Sequence, residues 1–147
     1  MRAISFSWTS AALVAGHKTV TRRVWDERYA IGFHQGDMVE AFDRQPRYGG
    51  TCIARIRVQR LTYEAMSVMP DYDYEGEGHA FYDAHPEFAP KQISGQRVLP
   101  GQFSRLSFDF WRRNGTSMWV LRFSLEEIET DLTPVLQRAV ELRRLPA

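Results

Sequence analysis

Lysine is nearly missing from this chain of 147 residues: Lys18 and Lys91 are the only two, and the other cationic side chains, histidine aside, are arginines. Arginine supplies charge but keeps its proton, whereas a partly buried lysine can lose one. A lysine retained at position 18, three residues before the hydroxyl of Thr21, is therefore a candidate proton handler. Cysteine is scarcer still. The single Cys52 excludes an internal disulfide framework and fits a reducing cytoplasm, the expected location. No apolar run reaches membrane-spanning length, and the opening Met1 to Trp8 alternates like a strand rather than a signal peptide, so no membrane partner is expected. The formal net charge is only +1, so bulk charge does not announce nucleic acid as a partner. Internal repeats and low-complexity linkers are also absent. What remains, with 44% hydrophobic and 25% charged residues, describes one soluble domain over residues 1–147, large enough to bury a core without disulfides or a metal.

The charges that are present are unevenly spread. Arg22, Arg23, Arg28, Arg44, Arg47, Arg55, Arg57 and Arg60 crowd the first sixty residues, while acids gather at 71–77 and 126–131. The N-terminal half can therefore present a basic face although the whole is near neutral.

Hydrophobic periodicity predicts a short strand over 3–8 and a brief helix over 11–15, capped by Thr9 or Ser10 and ended by Gly16 in a left-handed conformation. The chain then runs extended from Lys18 to Arg23. Gly36-Asp37 forms a turn into a strand over 38–42, and a polar turn from Asp43 to Gly50 leads to the clearest strand, 51–62. There Cys52, Ala54, Ile56 and Val58 share one face, and Arg55, Arg57 and Gln59 the other. On that face Cys52 is expected to be a buried, inert thiol. From Met66 to Gly101 the pattern dissolves around Pro70, Pro86, Pro90 and Pro100, with one short helix near Gly78 to Asp83; loops of this length are often lids or binding segments. Strands over 103–112 and 118–125 are expected to form a hairpin across Asn114-Gly115. Thr133-Pro134 opens a last helix over about 133–144, with an apolar stripe of Val135, Leu136, Ala139, Val140 and Leu142. The fold class is α+β: a small, partly open β-barrel of about five to six mostly antiparallel strands, its core over about 3–125, with flanking helices. Strands and long helices do not alternate, which argues against a doubly wound α/β sheet.

The order short helix, Gly16-x-Lys18-Thr19-x-Thr21-x-Arg23, Gly36-Asp37 and an alternating strand resembles the ASCH domain, a branch of the PUA-like superfamily. Glu77-Gly78 after that strand and the closing Trp119-Val120-Leu121-Arg122-Phe123 add to the resemblance, which covers roughly 3–125. It implies a barrel with a cleft for a nucleobase or nucleotide and an association with RNA. Some small bacterial members are amidohydrolases that remove the acyl group from N4-acetylcytidine; another member is a ribonuclease. Carried onto this chain, the hydrolase roles fall on Lys18, Thr21 and Glu77, with Glu75 two residues away as the competing acid. Two departures from the minimal hydrolases are the longer excursion from His79 to Gln102 and the added C-terminal helix. No cofactor is implied.

Amide hydrolysis needs a nucleophile, a stabilised oxyanion and a proton for the departing amine. Thr21 with Lys18 as base and Glu77 as acid/base meets that need, as does a version in which Glu77 activates water and Lys18 stabilises the oxyanion. Thr19 is an equally suitable hydroxyl by chemistry alone. Residues 18 and 21 would point to opposite faces of a regular strand, so a joint role requires a bulge or turn between them. Recognition of a small nucleoside or RNA would use Trp8 and Trp25 for stacking, with Tyr29 nearby, and Arg22 or Arg23 for a phosphate. For each aromatic, core packing is the competing role. Phe110-Trp111-Arg112-Arg113 is expected to be a strand end with solvated arginines rather than an RNA contact. His79, Asp83 and His85 are close enough in sequence to suggest a metal, but Pro86 and the lack of further ligands favour surface residues, so no metal is expected. His17 and His34 have no evident partner.

Overall fold

A computed structural model describes residues 1–93, 95–99 and 102–143. Its main sheet has five strands: β1 (Ala3–Ser5), β2 (Val20–Arg23), β3 (Met38–Phe42), β4 (Cys52–Ala65) and, counting a small hairpin of β5 (Gln92–Ile93) and β6 (Gln96–Arg97), β7 (Ser117–Ile128). The order across the sheet is β1-β3-β4-β7-β2, with β1 parallel to β3 and the other pairs antiparallel. Six α-helices accompany the strands among the described residues: α1 (Ser10–Val14), α2 (Glu27–Ala30), α3 (Asp73–Gly76), α4 (His79–Ala84), α5 (Arg105–Asn114) and α6 (Pro134–Glu141).

The α+β class stands, but the barrel does not close. No ladder joins the two edge strands β1 and β2 among the described residues. A side chain spans the gap instead: the Arg23 guanidinium donates from Nη2 to the Ser5 carbonyl at 2.7 Å. Bulges between β3 and β4 and between β4 and β7 sharpen the twist that brings these edges together.

Helix α1 is buried on every side, as its apolar run Ala11 to Val14 requires, with Ser10 satisfied internally. It packs under α6 and beside the inward residues Ile56, Val58, Leu121 and Phe123 of the sheet. Gly16 ends it at φ +79°. Neither expected hydroxyl caps it: Thr9 Oγ1 donates to the Phe6 carbonyl and Ser10 Oγ to that of Ser7. The chain from Phe6 onward leaves the sheet for a 3-10 turn, so the first strand is shorter than 3–8.

Three other expectations change. The segment 103–112 is not a strand, and Asn114-Gly115 is not a hairpin turn. Apolar residues at 106, 108 and 110 mimic β alternation, yet Leu106 and Phe110 are exposed while Phe108 and Trp111 share the face that meets Met66, Met69, Tyr74 and Met118. Arg105, Asp109 and Arg112 pair along the other side at helical spacing. Ser104 caps the start, and Asn114 turns its amide back to the Phe110 carbonyl. Gly115 serves close approach rather than a turn, because a Cβ there would sit 2.6 Å from Met66 Cγ.

Second, the bulge opposite Ala41 and Phe42 places Ile53 beside Ala54 in the core, and Cys52 is left half-buried. Partial burial still pushes its thiol pKa up, which keeps it a poor thiolate. Third, the excursion after Met66 is ordered into α3, α4 and the β5–β6 hairpin; Pro100 lies outside the described residues. The last helix runs over Pro134–Glu141 with Thr133 as its cap, and residue 144 also lies outside them. Leu136 and Ala139 carry its buried stripe, whereas Val135 and Leu142 are exposed.

Candidate functional site

The cavity sits where the barrel fails to close. It has a volume of about 770 Å³ and takes its walls from the end of β1, from β2, from the turn after β3, and from α4 and α5. Lys18, Thr21, Arg22, Arg23 and Glu77 all line it. Strand β2 begins only at Val20, so Lys18 lies in the turn between α1 and β2, its amide held by the Ala12 carbonyl. The irregularity that a joint role of residues 18 and 21 requires is therefore this turn.

Helix α3 supplies the acids. Asp73 and Glu77 are one helical step apart, with the Glu77 amide donating to the Asp73 carbonyl at 2.8 Å, so both carboxylates face β2. Gly78 takes φ +101° and bends the chain into α4 directly after Glu77; a Cβ there would meet Ala12 Cβ at 3.3 Å. Glycine is thus required both for the turn and for the contact with α1.

Lys18 is 3% exposed, and its Nζ donates to the Glu77 carbonyl at 3.0 Å and to Glu77 Oε1 at 3.3 Å. Arg22 Nη1 donates to Glu77 Oε2 at 2.6 Å. Arg22 Nη2 lies 2.6 Å from Asp73 Oδ2, an ion pair without hydrogen-bond alignment. Asp73, fully buried, also accepts a two-pronged bond from Arg122 at 2.9 Å on each oxygen. Burial holds the Lys18 ammonium below the usual lysine range; Glu77 opposes that effect, and Arg23 and Arg22 reinforce it.

Thr21 Oγ1 accepts from Arg23 Nε at 2.9 Å. Trp8 forms part of the wall, packed on Phe103 and Tyr82. The other candidates lie elsewhere. Thr19 is exposed and outside the cavity lining. Glu75 faces His17, with 3.3 Å between Oε1 and Nδ1, so of the two acids Glu77 is the one in the cavity. Trp25 stacks on Phe33 and, with Tyr29, borders a second, smaller hollow of about 560 Å³. Arg112 is paired with Asp71 and Asp109 rather than free in solvent.

Asp73, Arg122, Trp111 and His79 complete the site and were not singled out for it by the sequence. The one available signal was the four-residue spacing of Asp73 and Glu77, which a helix converts into a shared face. His79 is not a surface residue: it lines the cavity among Tyr74, Phe103, Phe108 and Trp111, and its Nδ1 is buried without a hydrogen-bond partner. No group of side chains suited to a metal occurs among the described residues.

Burial pulls the His79 pKa down to about 4 from an unfolded value of 6.5. Between those values the unfolded chain binds more protons, so this group's contribution to stability rises from pH 4 to 6.5 and is lost on acidification. The loss is on the order of 3 kcal/mol. His79→Phe, which keeps the aromatic packing, is expected to show a smaller loss between pH 7 and 4.5 than the wild type in urea denaturation. An equal loss in both proteins would remove His79 from the account.

Fold and cavity together define a small α+β domain whose open edge holds a buried, arginine-rich ionic cluster. No protein-family model matches the chain, and no curated protein matches it in sequence. Among solved structures, protein EF3133 of the DUF984 family from Enterococcus faecalis superposes with a TM-score of 0.50 at 14% identity, over 86% of this chain and 75% of that one. ASCH from Zymomonas mobilis gives 0.42 at 11% identity, over 95% and 92% of the two chains. A tyrosine-to-phenylalanine variant of that protein gives 0.42 at 13%, over 95% and 96%. The EF3133 likeness shows a shared α+β fold; at their TM-scores the Zymomonas likenesses add no weight. No described helix is long and apolar enough to cross a membrane.

Proposed function

We propose that this chain is an amidohydrolase that releases cytidine from N4-acylated cytosine nucleosides. The reading rests on one observation: a buried Lys18 held by Glu77 on the wall of the cavity that Thr21 also lines. A volume of about 770 Å³ suits a nucleoside, since small-ligand sites run to roughly 300–1,000 Å³.

A neutral Lys18 amine can give two N–H groups to the Glu77 carbonyl and Oε1 and keep its lone pair for a proton. In the reaction that lone pair accepts the Thr21 hydroxyl proton as Oγ1 bonds to the acyl carbon. The Arg23 Nε–H on Oγ1 favours the alkoxide form of the hydroxyl. The proton then returns, directly or through Glu77, to N4 of cytosine as the C–N4 bond breaks, leaving acyl-Thr21. Lys18 next deprotonates water as its oxygen bonds to the acyl carbon, then returns that proton to Thr21 Oγ1 as the ester C–O bond breaks, and the carboxylic acid departs.

Cytidine release from N4-acetylcytidine tests the reading. Thr21→Ser is expected to retain turnover and Thr21→Ala to lose it by at least about a hundredfold. Wild-type rates in Thr21→Ala would make water the nucleophile. No release by the wild type, with RNA binding that falls steeply with salt, would transfer the site to RNA.

A further inference from the structure

The charges around the cavity do not balance. Four cations line it, Lys18, Arg22, Arg23 and Arg44, against the two carboxylates of Asp43 and Glu77. Behind the wall, Asp73 is committed to Arg22 and Arg122. If Lys18 works as a neutral base, Arg22 and Arg122 are matched by Asp73 and Glu77. Arg23 is then left over.

Arg23 is held in place by neutral groups: Nε donates to Thr21 Oγ1 and Nη2 to the Ser5 carbonyl, and the guanidinium lies 5.7 Å from the centre of the Phe6 ring. Among the described residues no carboxylate lies within ion-pairing distance of it, and its Nη1 has no partner. Glu77, the carboxylate whose field reaches it, is already claimed by Arg22 and Lys18. Burying a cation without a counter-charge is costly, and a fixed guanidinium presents its remaining donors in a fork that matches a phosphate. Asp43, the other acid of the lining, has Oδ1 occupied by the Thr51 amide, while Arg44 beside it is exposed and adds positive potential.

We infer that the cavity takes its ligand as a nucleotide, with Arg23 receiving a terminal phosphate monoester. This rests on the proposed cytosine-nucleoside reading and narrows its substrate to the phosphorylated form. The geometry divides the cavity accordingly. The pairing of β1 with β3 puts Ser5, Asp43 and Arg44 on the side where Arg23 reaches across, whereas Trp8, His79 and Trp111 form the aromatic part of the wall on which a base can stack. A free mononucleotide is favoured over RNA because Arg55 and Arg57, on the long strand β4, are neutralised by Glu126, Glu127 and Glu129 and offer no free cationic stripe there.

The test is calorimetric binding of cytidine and cytidine 5′-monophosphate, neither of which carries the scissile amide. Binding is therefore read whether or not the protein proves to be an amidohydrolase, and cytidine release from N4-acetylcytidine is measured separately. The monophosphate is expected to bind at least about tenfold tighter than cytidine, as one charge-assisted contact predicts. Arg23→Gln is expected to abolish that preference, read as the ratio of the two affinities within the variant, and Arg23→Lys to retain part of it. Equal affinities in the wild type, or an unchanged preference in a folded Arg23→Gln, would overturn the inference. So would an RNA oligonucleotide that binds tighter than the monophosphate with a steep salt dependence. Should Arg23→Gln fail to fold, the wild-type ratio and Arg23→Lys decide.

Discussion

Lys18→Met is expected to lower cytidine release from N4-acetylcytidine by at least about a thousandfold, with the protein still folded. General acid–base catalysis accounts for roughly 10²–10⁴ of such a loss, and in the proposed reaction one amine serves both acylation and deacylation. Arginine elsewhere in the cavity cannot substitute, because it does not give up its proton. Folding should survive, since methionine matches the lysine stem and Glu77 keeps Arg22 at 2.6 Å. The pH dependence gives a second reading. Burial holds the Lys18 pKa below 10.5, so kcat/KM should rise with pH through that lowered value. Stability should rise in the same direction between that value and 10.5, because the unfolded chain binds the extra proton there. Both rises should vanish in Lys18→Met. A variant with ordinary turnover, or a wild type with a flat profile below pH 10, would exclude Lys18 as the base.

The prominence of Lys18 was legible before any geometry, because composition alone sets it apart. Strand β3, the start of β4, helix α4 and helix α6 were legible for the usual reason: turn residues and hydrophobic periods agree there. Helix α5 was not, since residues 106, 108 and 110 alternate like a strand and Asn-Gly follows them. What decides the segment is a long-range partner, the Met66, Met69 and Tyr74 surface that Phe108 and Trp111 cover, and no local pattern reports it. The same limit applies in the site. Whether Glu75 or Glu77 faces the cavity depends on where α3 begins, a matter of one residue. Asp73 stood among the acids gathered at 71–77 with nothing local to set it apart, and its pairing with Arg122 spans 49 positions of sequence. A partly open barrel was expected, but which edges stay apart was hidden: that β1 and β2 do not pair depends on bulges and on how far the edges curl.

Asp73→Ala is expected to destabilise the fold by about 3–5 kcal/mol, the usual cost of removing one member of a buried ion pair. Against a total of roughly 5–15 kcal/mol for a domain of this size, that is a large fraction. The reason is the number of cations that depend on one carboxylate. Arg22, itself buried, would keep Glu77 alone, and Arg122 would lose both of its charged hydrogen bonds. Asp73→Asn is no remedy, because its amide group would point N–H donors at guanidinium donors. Removing the stranded cation as well should help: Asp73→Ala with Arg122→Met is expected to be more stable than the sum of the single variants predicts. Urea denaturation of the four proteins measures the coupling, and a loss below about 1 kcal/mol in Asp73→Ala, or strict additivity, would show that the pair carries no such weight. The outcome bears on function because Asp73 orients Arg22, Arg22 orients Glu77, and Glu77 holds Lys18. A mutation that touches no ligand is therefore expected to reduce kcat before it alters KM, since the ligand-facing walls of Trp8, His79 and Trp111 are built on other contacts.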